Sequence, residues 1–179
     1  MIKSFLQDDK DLIDRLSVFC SSAQSDDLVI NTVTEILRDI RNGGDTAMLE
    51  RTLLYDQAKL SPNEIKVSQS ELEGAKSRLT SSEKESILEA IDNVSLFHEK
   101  SIPENWSMPN NHGAEVGEKF YPINRVGIYV PGGNVPLIST VVMTVTIAKV
   151  AKVKEIVVVT PPDSDGKIAP QMLAALELL

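Results

Sequence analysis

Residues 125–160 hold two short apolar segments separated by a Pro- and Gly-rich turn and a third apolar segment. The first covers residues 126–130 (VGIYV), and the second covers residues 155–160 (EIVVVT). Val and Ile make up 15 of the 36 residues between Arg125 and Thr160, a composition typical of strands buried on both faces. We therefore expect two strands of a parallel sheet that is covered on both sides.

The segment between these two strands, residues 136–152, is rich in β-branched residues that favour a strand. A parallel strand pair, however, needs a crossover of about a dozen residues or more, usually a helix. One helical face would consist of Leu137, Val141, Thr144, Val145 and Ala148. We predict a helix here, and so a right-handed βαβ unit.

Helical patterns dominate the chain from Val29 to the break at residue 103. One face at helical spacing comprises Val29, Val33, Ile36, Leu37 and Ile40. Residues 41–45 (RNGGD) predict a break, with Gly as the C-cap and Asp45 as the N-cap of a second helix. The side chains expected to point inward from that second helix are Met48, Leu49, Leu53 and Leu54.

Further elements follow from turn and capping signals. Residues 61–63 predict a turn, residues 65–67 an extended segment, and residues 72–79 a short helix capped by Ser68 or Ser70. The spacing of Ser82 and Glu85 predicts a capping box that opens a longer helix. That helix should have an apolar side formed by Ile87, Ile91, Val94 and His98. Beyond it we expect a loop over 103–113, a half-exposed strand over 116–120 and a last helix from Lys167.

Composition limits the class of protein. The net charge of −8 argues against nucleic-acid binding, because phosphate contacts require clustered Lys and Arg. The acidic excess lies in residues 1–120, with 22 Asp and Glu against 13 Lys and Arg, and predicts a solvated, helix-rich front. The single Cys20 excludes a disulfide framework, and neither a signal peptide nor a membrane span is evident. We expect a cytoplasmic protein.

The expected organisation is a helical region over residues 1–102 and the start of a nucleotide-binding domain over 103–179. The last residues (LELL) are apolar and lack a helix stop signal. Two parallel strands alone would also leave both sheet edges open. We therefore expect that the chain is truncated at its C-terminus.

The turn Pro131-Gly132-Gly133-Asn134 is the candidate ligand site. In open α/β sheets, ligands bind beyond the carboxyl ends of the strands, where Gly allows close approach of the backbone and a helix start offers free amides. Tyr129 lies at the end of its strand, where its ring could pack on a nucleotide base. The motif is neither GxGxxG nor a Walker loop, so a purely structural turn and a core Tyr129 stay open as alternatives.

The other potentially reactive side chains do not form a catalytic or metal-binding set. Cys20, His98 and His112 are isolated in the sequence, without metal-ligand spacing, and His98 fits a structural role on a helix. Cys20 has neither a helix start nor a basic setting that would mark it as a reactive nucleophile. The residues therefore predict neither a catalytic set nor a metal site within this chain.

Several stretches together resemble the histidinol dehydrogenase family. The similarity is most specific in GAEVGEKFYPINRVGIYVPGG and its continuation NVPLISTVVMTVTIAKVAKVKEIVVVTPP. IRNGGDTAMLERTLLYDQ and ILEAIDNVSLFHEKSIPENW are similar to an early helix-turn-helix and a long helix of that family. The resemblance implies an α/β fold: a helical N-terminal region followed by an incomplete Rossmann-like parallel βαβ unit, similar to that of aldehyde dehydrogenases.

The resemblance also implies a function. Members are homodimeric, zinc-dependent enzymes that oxidise L-histidinol to L-histidine with two NAD in succession, the last step of histidine biosynthesis. By this resemblance Tyr129 contacts NAD, and Pro131 and Gly132 are its neighbours. The family's zinc ligands, its catalytic Glu-His pair and its substrate-binding residues lie later and have no counterpart here. We therefore expect an inactive N-terminal fragment.

Two alternatives stay open. The parent enzyme could be a related zinc- and NAD-dependent alcohol dehydrogenase that acts on another polar substrate. The chain could also be a truncated module that binds a nucleotide or a partner chain without catalysis.

Overall fold

The computed structural model describes Phe5 and residues 10–21, 27–132 and 135–179. Its helices are α1 (Leu12–Ser21), α2 (Asp27–Asp56), α3 (Gln69–Lys76), α4 (Ser81–Glu99), α5 (Ile138–Val150) and α6 (Pro170–Leu178). Its strands are β1 (Trp106–Pro109), β2 (Glu115–Glu118), β3 (Arg125–Tyr129) and β4 (Glu155–Val159). The chain forms two compact units, Met1–Arg51 and Thr52–Leu179. The boundary expected near residue 102 stays a prediction.

In the first unit, Gly44 interrupts helix α2. Its φ of 57° and ψ of −139° are non-helical and belong to a region that only glycine adopts easily. The expected break is therefore confirmed. Asp45 is not the N-cap, because the non-helical residue is Gly44; Asp45 already lies in the first turn after the break, where a carboxylate suits the helix dipole.

The expected apolar faces of α2 are only partly covered. Ile36 and Ile40 are half-buried, whereas Val33 and Leu37 are about half exposed. Past the unit boundary, Leu53 and Leu54 were expected to point inward and are exposed, so that prediction was wrong. Helical periodicity identifies an apolar stripe, but it does not show whether another element covers the stripe.

Capping sets the start of the next helices. Ser68 caps α3 by accepting the amide of Glu71 at 3.2 Å. The capping box of α4 consists of Thr80 and Glu83, two residues before the predicted pair Ser82 and Glu85. Both pairs satisfy the same spacing, and the structure forms the earlier one, with Thr80 as the N-cap. The extended segment predicted at Ile65 was also wrong, since Ile65 is helical (φ −61°, ψ −40°) at the end of the 3₁₀ turn Pro62–Glu64.

A small hairpin occupies part of the expected loop. β1 pairs antiparallel with β2, with Trp106 opposite Glu118 and Pro109 opposite Glu115. The indole Nε1 of Trp106 donates to Glu118 Oε2 at 2.9 Å. The predicted strand near Val116 is confirmed as β2. The loop prediction for Trp106–Pro109 was wrong, because its local Pro and Asn signals were outweighed by cross-strand pairing.

The central prediction is confirmed: β3 and β4 pair in parallel and α5 connects them along the chain. Their register places Arg125 beside Glu155 and Tyr129 beside Val159. The β-branched segment of α5 is helical, because it must bridge the parallel strands. The last helix, α6, starts at Pro170, three residues after the expected Lys167.

The core of the second unit lies on one face of this sheet. Ile128 and Val130 of the β3 segment are buried in a cluster with residues of α4, α5 and α6. The other members of the cluster that are buried are Ile87, Val141, Val142, Val145, Ala148, Met172 and Ala175. On the opposite face Gly127 and Tyr129 are exposed. The expectation that β3 is covered on both faces was therefore wrong for the described residues.

Candidate functional site

The candidate site lies where β3 ends and the chain turns toward α5. Tyr129 is 62% exposed, and its register partner Val159 is 52% exposed. Val130, the next residue, is completely buried, so the strand presents Tyr129 away from the core. Of the two possibilities for this side chain, an exposed ring and a core ring, the described structure has the exposed one.

The turn after β3 is held against the turn after β4. The amide of Val130 donates to the carbonyl of Val159 at 2.9 Å and so extends the strand pairing by one step. A Cβ placed on Gly132 would lie 2.8 Å from Cγ of Pro161. Such a contact is shorter than packed carbon atoms tolerate, so glycine at this position is needed for packing. Pro131 and Gly132 are nonetheless exposed.

Helix α5 begins close to this turn along the chain. Its N-cap, Leu137, has no side-chain oxygen with which to cap the first amides. Backbone carbonyls accept some of these amides instead. The amide of Ile138 donates to the carbonyl of Pro136 at 3.0 Å, and the amide of Thr140 donates to the carbonyl of Leu137 at 3.1 Å. Gly133 and Asn134, the other residues of the predicted turn, lie outside the described residues.

The isolated reactive side chains are not brought together. His98 Nδ1 lies 3.3 Å from Ser101 Oγ, and the His98 ring meets the ring of Phe97 edge-on. His112 and Cys20 are exposed. In the part of the chain that is described, no three His, Cys, Asp or Glu side chains approach closely enough to hold a metal ion. These residues do not fit a zinc site.

A groove that the sequence analysis missed lies between α4 and α5. It has a volume of about 390 Å³ and its lining is almost wholly apolar. The lining residues are Ser86, Ile87, Ala90, Val94, Ile138, Ser139, Val142 and Met143. Helical periodicity placed Ile87 and Val94 on the predicted apolar side of α4, but none of the α5 residues that line the groove belongs to the face predicted for α5. The lining has no ionisable side chain and therefore offers no acid–base chemistry.

None of the described helices is long and apolar enough to cross a membrane. The fold of the second unit belongs to a recognisable class of domain. It is a parallel βαβ unit with an exposed turn at the carboxyl ends of its strands, the arrangement of α/β nucleotide-binding domains.

Comparison with known proteins identifies the family. The family model of histidinol dehydrogenase matches residues 20–179. A histidinol dehydrogenase from Gloeobacter violaceus is 38% identical over 146 residues, which cover 82% of this chain and 33% of that protein. One from Aromatoleum aromaticum is 40% identical over 144 residues, which cover 80% and 33%. The chain belongs to the histidinol dehydrogenase family.

A solved structure agrees with this assignment. The crystal structure of histidinol dehydrogenase from Elizabethkingia anophelis matches with a TM-score of 0.80 and 33% identity. The match covers 87% of this chain and 35% of that one. The chain thus spans about a third of the length of the relatives it matches. The fold predicted from the sequence, helices followed by a parallel βαβ unit, is confirmed.

Proposed function

We propose that this chain is the N-terminal part of a histidinol dehydrogenase and supplies part of its NAD site. The observation that carries this proposal is the exposed ring of Tyr129 at the carboxyl end of a parallel strand, in a chain of this family. Tyr129 packs on the dinucleotide, and Pro131 and Gly132 bring backbone close to it.

The complete enzyme, in this proposal, oxidises L-histidinol to L-histidine, works in the cytoplasm as a homodimer and requires zinc. NAD, when bound, accepts the hydride. The zinc ligands and the catalytic acid–base pair belong to the two thirds of the family's length that this chain does not span. Residues 1–102 form the helical region, and 103–179 begin the nucleotide-binding domain. The chain alone is inactive.

NAD binding can be tested directly on the 179-residue chain by saturation-transfer NMR and calorimetry. Tyr129→Ala should weaken binding about fivefold to 150-fold, because stacking of a base on an aromatic ring is worth about 1–3 kcal/mol. Tyr129→Phe should keep most of the affinity. Tyr121→Ala is the matched control, since Tyr121 is 76% exposed and lies outside β3. Equal affinities of the Tyr129→Ala and Tyr121→Ala variants would contradict the proposed NAD contact.

Activity separates the proposal from its alternatives. With L-histidinol, NAD and zinc, the chain alone should produce no NADH, and adding the missing portion of a histidinol dehydrogenase should restore production. If the restored enzyme preferred another polar alcohol, the substrate assignment would be wrong. If NAD bound but no supplement restored oxidation, the chain would be a non-catalytic binding module.

A further inference from the structure

Leu60 packs against the loop that follows β4. A Cβ placed on Gly166, in that loop, would lie 2.7 Å from Cδ2 of Leu60. Gly166 also has a positive φ of 74°, so both its backbone conformation and its surroundings favour glycine. Leu60 is half-buried, although it lies in the connection between α2 and α3. Two segments that are far apart in the sequence are therefore in contact at this glycine.

The segment around Leu60 is fixed on both sides. Ala58 is completely buried. On the other side, Glu64 Oε2 accepts the amide of Ser61 at 2.8 Å and the hydroxyl of Ser61 at 2.7 Å, which closes a capping box. Because the backbone is anchored before and after Leu60, the side chain is presented to Gly166 from a defined position.

The loop over residues 163–167 is closed by its own hydrogen bonds. Asp163 Oδ1 accepts the amide of Asp165 at 3.0 Å and the amide of Lys167 at 2.8 Å. The amide of Asp163 donates to the carbonyl of Lys167 at 2.9 Å, and the amide of Gly166 donates to the carbonyl of Asp163 at 2.9 Å. We therefore expect this loop to move as one body, so that a displacement of Gly166 also displaces Asp163.

Pro161 connects this loop to the turn after β3. Pro161 and Pro162 directly precede Asp163, and their rings fix the backbone φ of the two linking residues. The Cγ atom of Pro161 occupies the space next to Gly132, where a Cβ would lie 2.8 Å from it. Groups in close contact transmit small displacements to one another. A continuous series of contacts therefore joins Leu60, through the loop, to Gly132.

We propose that Leu60 is a positioning residue of the NAD site. Leu60 holds the loop over residues 163–167, and this loop holds Gly132 in place through Pro161. The inference rests on the proposed function, in which the backbone at Gly132 lies close to the dinucleotide. Leu60 acts through the loop and not through contact with NAD. A turn that is already in place loses less conformational freedom when the ligand binds, and so binds it more tightly.

The first test needs no cofactor and uses the isotope-labelled 179-residue chain. Leu60→Ala should shift the NMR signals of the Gly166 and Gly132 amides, because the support of the loop is lost. Leu176→Ala is the matched control, since Leu176 is also a half-buried leucine packed on the core but lies in the last turn of α6. It should leave the Gly132 signal in place. An unmoved Gly132 signal in Leu60→Ala, or an equal shift in Leu176→Ala, would overturn the proposal.

The second test measures NAD affinity by calorimetry, at a temperature where every variant is folded. Leu60→Ala should weaken NAD binding about threefold to tenfold, because the turn must then be ordered on binding. Leu60→Met, which keeps most of the side-chain volume, should restore both the affinity and the Gly132 signal. Leu176→Ala should lower the melting temperature and leave NAD affinity unchanged. Equal NAD affinities of the two alanine variants would contradict the positioning role.

Gly166→Ala tests the same contact from the other side and covers the case in which Leu60→Ala does not fold. Its methyl group would meet Leu60, so the Gly132 signal should shift in this variant too. Adding Leu60→Val removes Cδ2 and should reverse part of that shift. A shift that the second substitution leaves unchanged would come from backbone strain at Gly166 alone and would overturn the proposal.

Failure of this inference and failure of the proposed function give different results. The NMR test is made without NAD and depends on Leu60, whereas the proposed NAD contact depends on Tyr129. A chain in which Leu60→Ala moves Gly132 but which does not bind NAD would contradict only the proposed function. A chain that binds NAD through Tyr129 and in which Gly132 does not move would contradict only the role of Leu60.

Discussion

Gly132 packs against the ring of Pro161, so the turn after β3 and the turn after β4 are in direct contact. The two residues are 29 positions apart in the sequence, yet a Cβ on Gly132 would lie 2.8 Å from the Pro161 Cγ. The contact ties the candidate nucleotide turn to the neighbouring strand end. Its shape is therefore set by the sheet and not by the turn alone.

Substituting Gly132 with Ala should consequently destabilise the second unit. Either the turn or the rigid proline ring must move, and we expect a loss of about 1–3 kcal/mol of unfolding free energy, measured by urea denaturation. The double variant Gly132→Ala with Pro161→Ala should recover part of that loss, because the second change removes the obstructing ring. Purely additive effects of the two changes would contradict the contact.

Gly44 should be sensitive to substitution for a different reason. At φ 57° and ψ −139°, any residue with a Cβ is strained, so Gly44→Ala should destabilise the first unit by about 1–3 kcal/mol. Hydrogen exchange of the α2 amides near the break should accelerate. Gly74→Ala in α3 serves as the comparison, since alanine should stabilise an ordinary helical position by up to about 1 kcal/mol. Slower exchange in the Gly44→Ala variant would show that the break is dispensable.

Helix α4 should depend on the box formed by Thr80 and Glu83. The Glu83 carboxylate accepts the Thr80 amide at 2.8 Å and its hydroxyl at 2.7 Å, and these hydrogen bonds lower the pKa of Glu83. The stabilisation that the Glu83 carboxylate gives to the folded state is therefore fully present above pH 4.5, the ordinary pKa of Glu. It is lost as the pH falls through the lower pKa that Glu83 has in the folded state.

The corresponding test compares the melting temperatures of wild type and Glu83→Gln between neutral pH and pH 3. Glu83→Gln should melt lower at neutral pH, and the difference should shrink in acid. Glu85→Gln is the control, because Glu85 belongs to the predicted box that did not form. Thr80→Ala should cost about 1 kcal/mol at neutral pH through loss of the cap. An equal effect of Glu85→Gln would favour the predicted box.

Arg51 should hold the two parts of α2 together. Its guanidinium bonds to Asp39 and, at 3.2 Å, to Glu35, two carboxylates on the other side of the Gly44 break. The hydrogen bonds that Arg51 donates to Asp39 and, second in effect, to Glu35 raise the pKa of Arg51. Arg51→Met should speed hydrogen exchange around the break, and added salt should reduce the difference from wild type. Arg38→Met is the control, since Arg38 only approaches Asp39 at 3.9 Å. Identical exchange in the two variants would contradict this role for Arg51.

Particular residues show how much of the fold could be predicted from the sequence. Gly44 acts locally, so the break in α2 could be predicted from neighbouring residues. Ser68 and Ser70 both fitted the cap of α3, and the structure has Ser68 there. Thr80 and Ser82 both fit a capping box, and local spacing does not choose between them. Trp106 lies among Pro and Asn residues that predict a loop, but its pairing with Glu118 depends on a strand that comes nine residues later.

The amino-acid sequence by itself determined the parallel βαβ unit, its Pro-Gly-Gly turn and the family, because apolar periodicity and short motifs are properties of contiguous residues. Only the tertiary structure decided which face of β3 is covered and that Tyr129 is exposed. It also decided that a Cβ on Gly132 would meet Pro161, whereas a Cβ on Gly127 would meet no atom of the described residues within 4 Å. The sequence VGIYV shows that the side chains of this strand are apolar. Which of them is buried depends on the elements that reach it, and those are set by contacts far apart in the chain.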